Sequence, residues 1–230
     1  MQISYLTIIP LKIPFSRESI GFIFRRRRLF FFLELVKETF KEKGKVNIVD
    51  VGGTKEYWNI FPNGFLQSYN IRITIVNQKY FNIPIGDKNF TYIHADACDL
   101  STFKNKSFHI AHSNSVIEHV GDWGRMVLFS KEISRIADKY FVQSPDFWFP
   151  VEPHCMTLFY HWLPKKVQIL LIQNFSLGHW CKAKTYDEAV KRAESIHLLD
   201  KKKIGELFND ANIYVERFLG IPKSLLAVRK

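Results

Sequence analysis

Asn47-Ile48-Val49-Asp50-Val51-Gly52-Gly53-Thr54 decides the fold. Its first four residues, branched and polar, end in the acid Asp50, and after Val51 two glycines follow where a strand would turn into a helix. Glycine lets a backbone come close to a ligand, and turns at the carboxyl ends of parallel strands are where open α/β sheets bind nucleotides. The stretch is neither a GxGxxG dinucleotide fingerprint nor a GxxxxGK[ST] phosphate loop, so taken alone it is equally a structural turn. An NAD-linked oxidoreductase is correspondingly disfavoured.

Working outward, short apolar runs rich in β-branched and aromatic residues recur at Val46–Val51, Ile71–Val76, Phe90–His94, Phe108–His112 and Tyr140–Gln143. Between the last two, Met126, Val127, Phe129, Ile133 and Ile136 recur at helical spacing, which predicts a crossover helix over Trp123–Ala137. The alternation implies an α/β fold with a largely parallel sheet. After the fifth run the rhythm breaks into a Pro- and aromatic-rich segment, residues 145–200, read as an inserted substrate-side or lid segment. A helix near Lys202–Asn209 follows, then the runs Ile213–Phe218 and Ser224–Val228, whose close spacing predicts an antiparallel terminal hairpin.

Each of the first four runs closes on a group able to bind a ligand. Asp50 and the glycines end the first and Asn77 the second, Asp96 lies just past the third, and Ser113-Asn114-Ser115 ends the fourth. Four such strand ends at one sheet edge are a pattern that a purely structural sheet does not need.

These residues resemble the class I methyltransferases that use S-adenosylmethionine (SAM), and within them the type 11 group. The resemblance runs over about residues 45–145 and 200–230. It is carried by Asp50-Val51-Gly52-Gly53, Ala95-Asp96-Ala97, the stretch from Phe108 to Gly121 that includes Asn114-Ser115-Val116-Ile117-Glu118-His119, the stretch Tyr140 to Pro145, and Glu216 to Ser224. It implies a Rossmann-like fold with a mostly parallel seven-stranded sheet, an antiparallel C-terminal hairpin and helices on both faces. It also implies transfer of a methyl group from SAM to a small-molecule or glycan-precursor acceptor. Gly52 and Gly53 would line the methionine part of the cofactor, with Thr54 after them where many members carry another glycine. Asp50 would hold the turn or the cofactor's amino group. Asn77 would face the ribose in place of the usual acid, Asp96 would accept from the adenine amino group beside the Ala97 amide, and Asn114 would close the edge. Glu118 and His119 are the first candidates for acid–base work, His119 as the base, though the pattern more readily suits a helix start or a hydrogen-bonded support for the cofactor loop. In the segment that follows, Asp146, Glu152 and His154 are candidates to orient an acceptor, and His154 joins the catalytic set. Its aromatics Phe147, Trp148, Phe149, Trp162 and Trp180 suit a pocket wall and a satellite core alike. Some quinone-pathway relatives bind a metal here through two carboxylates and a histidine. This chain has Ser115 where the first carboxylate would lie, so no metal is expected.

Composition narrows the remaining classes. Among 230 residues, 21 Phe, 9 Tyr and 5 Trp supply more apolar surface than a disordered chain carries, and no run approaches the roughly 18 apolar residues of a spanning helix. Cys98, Cys155 and Cys181 form no CxxC pair, which fits a reducing cytosol. The net charge of +11 is uneven, with 10 basic against 4 acidic residues over 1–45. Arg25, Arg26, Arg27 and Arg28 run into Leu29-Phe30-Phe31-Phe32-Leu33. Residues 1–45 are therefore expected to form a basic helical extension to a methyltransferase domain over 46–230. Its arginines are either a solvated helix start or a weak contact to an anionic membrane surface or an acidic partner, which would put the protein in the cytoplasm or at the inner face of a membrane. Nucleic acid is disfavoured, since Ser113-Asn114-Ser115-Val116 is not the Pro-Pro-aromatic type of motif that holds an extruded base. The rival to catalysis is a module that keeps the fold for binding or membrane association.

Overall fold

A computed structural model of the chain describes residues 20–78 and 88–230, except for the side chains of residues 20–27. The side chains of Arg25, Arg26 and Arg27 lie outside the described residues.

One seven-stranded sheet organises the chain. Its strands are β1 (Val46–Val51), β2 (Ile71–Asn77), β3 (Phe90–His94), β4 (Phe108–Asn114), β5 (Ala137–Pro145), β8 (Asn212–Phe218) and β9 (Ile221–Arg229). The order is β3-β2-β1-β4-β5-β9-β8. The pairs from β3 through β5 are parallel, while β9 runs antiparallel to both of its neighbours. This is the mostly parallel sheet with a C-terminal hairpin that the sequence implied. Strands β6 (Val151–Glu152) and β7 (Thr157–Leu158) form a separate two-stranded ribbon.

The central strands are buried on both sides, so their side chains need a layer on each face. On one face lie α3 (Trp123–Ile136) and α6 (Lys201–Leu207), which contribute Met126, Phe129, Ile133, Ile136, Ile204 and Leu207 to the core. Asp122 caps α3 by accepting from the Arg125 amide, and Asp200 caps α6 by accepting from the Lys203 amide. Each supplies an acceptor to an otherwise unpaired first-turn N–H.

The other face is covered by α1 (Ile20–Lys43) together with Trp58, Phe61 and Phe65. Leu29, Phe32, Leu35 and Val36 recur three and four residues apart, and all are buried. Phe32 touches the rings of Trp58, Phe61, His112 and Phe141. Burying such a side chain stabilises by about 1.5–3 kcal/mol. The apolar part of the stretch read as an extension is therefore a wall of the domain core, and of its run only Phe30 is largely exposed.

Crossover helices are thinner than the alternation suggested. Between β1 and β2 there is a 3₁₀ turn over Lys55–Ile60 and the single-turn α2 (Phe65–Ser68). The α1 helix supplies the cover that a longer crossover would otherwise give.

Between β5 and α6 the chain forms the β6–β7 ribbon, α4 (Lys165–Asn174) and α5 (Tyr186–Glu194) around a small core of Cys155, Tyr160, Ile172, Ala183, Ala189 and Ala193. Of the aromatics singled out from the sequence, Trp180 packs against this core, whereas Trp148 and Trp162 are exposed. No described helix is long and apolar enough to cross a membrane.

Candidate functional site

The glycine turn is built from the inside. Asp50 lies opposite His112 in the β1–β4 register, and His112 Nδ1 is 2.8 Å from the carboxylate. The other Asp50 oxygen accepts from Trp58 Nε1 at 2.8 Å, and His112 Nε2 lies 3.2 Å from the Tyr57 hydroxyl. Asp50 is 1% exposed, and its carboxylate lies directly beneath Gly53.

Both glycines are required by what they pack on. Gly52 has φ +78°, in the left-handed region, and a Cβ there would stand 2.5 Å from the Val116 side chain. A Cβ on Gly53 would fall on the Asp50 carboxylate. The turn is also tied to β2, since Gly52 N–H donates to the Val76 carbonyl at 2.7 Å. Asn77 Nδ2 lies within 3.3 Å of the Gly52 and Gly53 carbonyls. Thr54 caps the following 3₁₀ turn by position alone, without a side-chain bond.

The remaining strand ends stand at the same edge. Asp96 sits in a tight turn just past β3, beside Ala97, which packs partly buried against the core. Its carboxylate accepts from the Cys98 amide at 2.9 Å and from Arg125 at 2.8 and 2.7 Å. Burial works against its ionisation, yet the Cys98 amide and the Arg125 guanidinium outweigh that and hold it below the ordinary carboxylate range. At the end of β4, Asn114 accepts a long 3.4 Å bond from Arg28, whose guanidinium is also 3.6 Å from Glu216. Burial lowers the pKa of Arg28. Ser115 is left-handed at φ +55° and donates to Gln143 Oε1, which redirects the chain into a 3₁₀ turn over Ile117–His119.

That turn brings together all three residues predicted to be catalytic. Glu118 is fully buried, accepts from Ser144 Oγ at 3.3 Å, and is pushed up to about 7 by burial. The rings of His119 and His154 meet edge to face, 4.7 Å between centroids. Burial, reinforced by the neighbouring His154, lowers the His119 pKa. Burial also opposes charge on His154, but the bonded Glu152 carboxylate, 2.6 Å from its Nδ1, outweighs this and raises it. The His197 amide donates to the Glu118 carbonyl at 2.9 Å, tying the end of the 145–200 segment to this turn. Beside the cluster a cavity of about 210 Å³ is lined by Phe147, Glu152, Tyr160, His161, Lys165 and His197, among others.

His112, Trp58 and Arg125 escaped the sequence reading, and Arg28 was read there only as part of the basic arm, not as a residue of this edge. Only His112 had a usable signal, a polar residue in an apolar strand level with Asp50; the two arginines act on strand ends far from them in sequence.

Compared by sequence, the chain matches no protein-family model and no curated protein. By structure it is similar to a SAM-dependent methyltransferase from Archaeoglobus fulgidus, with a TM-score of 0.50 and 11% identity over 92% of this chain and 100% of that one. It is also similar to an O-methyltransferase family protein from Burkholderia thailandensis, with a TM-score of 0.49, 11% identity, and 95% of this chain and 64% of that one covered. Phosphoethanolamine N-methyltransferase 2 from Haemonchus contortus, in complex with SAM, has a TM-score of 0.47 and 13% identity over 88% of this chain and 44% of that one. The chain thus spans less than two thirds of the length of the last two. At these identities the likeness is one of fold, and the fold is that of the class I methyltransferases.

Proposed function

We propose that the protein is a SAM-dependent methyltransferase acting on a small-molecule or glycan-precursor acceptor. The observation that carries this reading is the convergence of the Gly52-Gly53 turn, Asn77, Asp96 and Asn114 at the carboxyl edge of four adjacent strands in a class I sheet. The chemistry of these groups fits the cofactor. The missing Cβ atoms of the glycines make room for Asp50 and Val116, which lets the turn pack tightly at the sheet edge. Asp96 keeps a partly exposed carboxylate able to accept from an adenine amino group.

SAM supplies an already activated methyl group, so the protein's task is alignment, exclusion of water and, for a hydroxyl acceptor, removal of one proton. Asp50, Trp58 and His112 fix the turn against which the donor would rest. His119, whose pKa burial lowers, is the candidate base. His154 and Glu152 would orient the acceptor from the insertion side. The glycan acceptor and the type 11 assignment rest on the sequence resemblance alone.

A second reading, a binding module that retains the fold, is favoured by one observation: Asn77 and Asp96 already bond to the Gly52 and Gly53 carbonyls and to Arg125. Calorimetric titration with SAM, NAD and anionic vesicles separates these. The methyltransferase reading expects saturable SAM binding and no NAD binding; binding to vesicles without SAM would leave the module reading in its place.

A further inference from the structure

Glu118 carries a feature that acid–base work does not explain. Its Oε1 is buried and has no hydrogen-bond partner among the described residues. A buried polar atom left unpaired costs about 1–3 kcal/mol, more when charged, and a structure that keeps one usually reserves it for something. His119 and His154 face the same point: one ligand atom from each of Glu118, His119 and His154 lies within 4.8 Å of the other two.

The support behind these groups is equally specific. His154 Nδ1 is taken by Glu152 Oε1 at 2.6 Å, which leaves Nε2 as the free ring nitrogen. Glu152 is itself 1% exposed, and its other oxygen accepts from the His154 and Cys155 amides at 2.8 and 2.7 Å. A histidine oriented through one nitrogen by a fixed carboxylate, with the other nitrogen presented, is the arrangement that holds a metal-ligating imidazole in place. No Lys or Arg is hydrogen-bonded to either carboxylate among the described residues, so two buried acids share the site with two imidazoles, of which His154 is bonded to Glu152.

From this geometry we infer that Glu118, His119 and His154 form a binding site for one divalent transition-metal ion of the zinc class, with Glu152 orienting His154. Two imidazoles and one carboxylate suit zinc and its neighbours rather than magnesium or calcium, which take oxygen ligands. Ligands at about 2.0–2.2 Å around a tetrahedral ion stand closer together than 4.8 Å, so the three side chains close by roughly an ångström on binding. The third ligand comes from the 145–200 segment, which is why the absence of a carboxylate at Ser115 does not decide the matter. The earlier expectation of no metal considered that position alone. Three protein ligands leave a fourth position open, where an ion lowers the pKa of a bound hydroxyl. Glu118 is two residues from Val116, which packs on Gly52, so an acceptor oxygen held there would lie beside the glycine turn. That last step rests on the methyltransferase reading; the metal site does not.

The test uses the full chain, stripped with a chelator and titrated with Zn²⁺ by calorimetry and with Co²⁺ by visible absorption. The expected result is one ion per chain and a tetrahedral Co²⁺ band that Zn²⁺ abolishes. H154A should lose the band, and E152Q should weaken Zn²⁺ binding by roughly ten- to a hundredfold. Thermal melts of the stripped variants check that they fold, and E152Q carries the test if H154A does not. No uptake by the parent, or parent-like uptake by the folded variants, overturns the site. Zn²⁺ binding without SAM binding would sink the proposed function and leave the site standing.

Discussion

The two sides of the candidate site differ in how their polar groups are occupied. On the glycine-turn side, Asp50, Asn77 and Asp96 each bond to the protein itself, through His112 and Trp58, the Gly52 and Gly53 carbonyls, and Arg125. On the insertion side, Glu118 keeps a bare buried oxygen beside two imidazoles. The first arrangement is preorganised: its shape is fixed before anything binds, and a ligand there must compete with existing partners or use the backbone. The second is less complete: Glu152 and one Glu118 oxygen are bonded within the protein, while the other Glu118 oxygen has no partner among the described residues.

The comparison breaks most directly at Asp50. Asp50→Ala would strand the Trp58 indole N–H and the His112 ring in a buried position, at about 1–3 kcal/mol for each group left unpaired. We expect a fall in denaturation midpoint with little change in slope, the largest effect of the series. An Asp50→Ala protein as stable as the parent would show that the turn does not depend on this network.

Gly52 tests whether the turn is shaped by packing. In Gly52→Ala the left-handed backbone costs roughly 1–2 kcal/mol and the collision with Val116 about 1–3 kcal/mol more. Pairing it with Val116→Ala should recover the collision but not the backbone strain. Denaturation of the two single variants and the double variant measures this directly, and strict additivity would mean that the Val116 contact is unimportant.

These two positions also show how much the sequence disclosed. The sheet was legible because its strands read as short runs rich in β-branched residues, and Val46–Val51, with three valines and an isoleucine among six residues, is such a run. The edge residues were legible because each closes a strand. What Asp50 and Asp96 bond to was not, because His112 lies 62 residues from Asp50 and Arg125 lies 29 from Asp96, and only strand order and helix packing bring them together. The role of Leu29–Leu33 was hidden for a different reason: an apolar run after four arginines has the same pattern whether it meets lipid or a sheet. His154 was singled out, but its approach to Glu118 depends on the path of an irregular segment that carries no periodicity.

A sharper probe of ligand binding is the Asp96–Arg125 pair. Both side chains are more than a third exposed, so breaking the pair should change stability by no more than about 1 kcal/mol. Asp96→Ala should nevertheless weaken SAM binding by roughly ten- to a hundredfold, the loss of a charge-assisted hydrogen bond of about 1.5–3 kcal/mol. Arg125→Ala, which leaves the carboxylate in place, should cost less affinity than Asp96→Ala. Calorimetry on both variants decides it, and a folded Asp96→Ala protein with parental affinity would remove Asp96 from the cofactor site.

The smallest effect is expected where the charge is greatest. Four arginines near an anionic surface supply about 4 kcal/mol at roughly 1 kcal/mol each, enough for weak, salt-sensitive association. Stable attachment would need apolar side chains to enter the interface as well, and Leu29 and Phe32, which could have served, are buried against the sheet. Arg28 is unavailable too, since it reaches Asn114 and Glu216. The informative variant therefore changes Arg25, Arg26 and Arg27 to Ser and leaves Arg28 intact. Co-sedimentation with anionic vesicles should be weak for the parent at low salt, absent at physiological salt, and absent for the variant under both conditions, with SAM affinity the same in the two proteins. Salt-resistant sedimentation of the parent would mean that apolar groups besides the buried face of α1 reach the lipid.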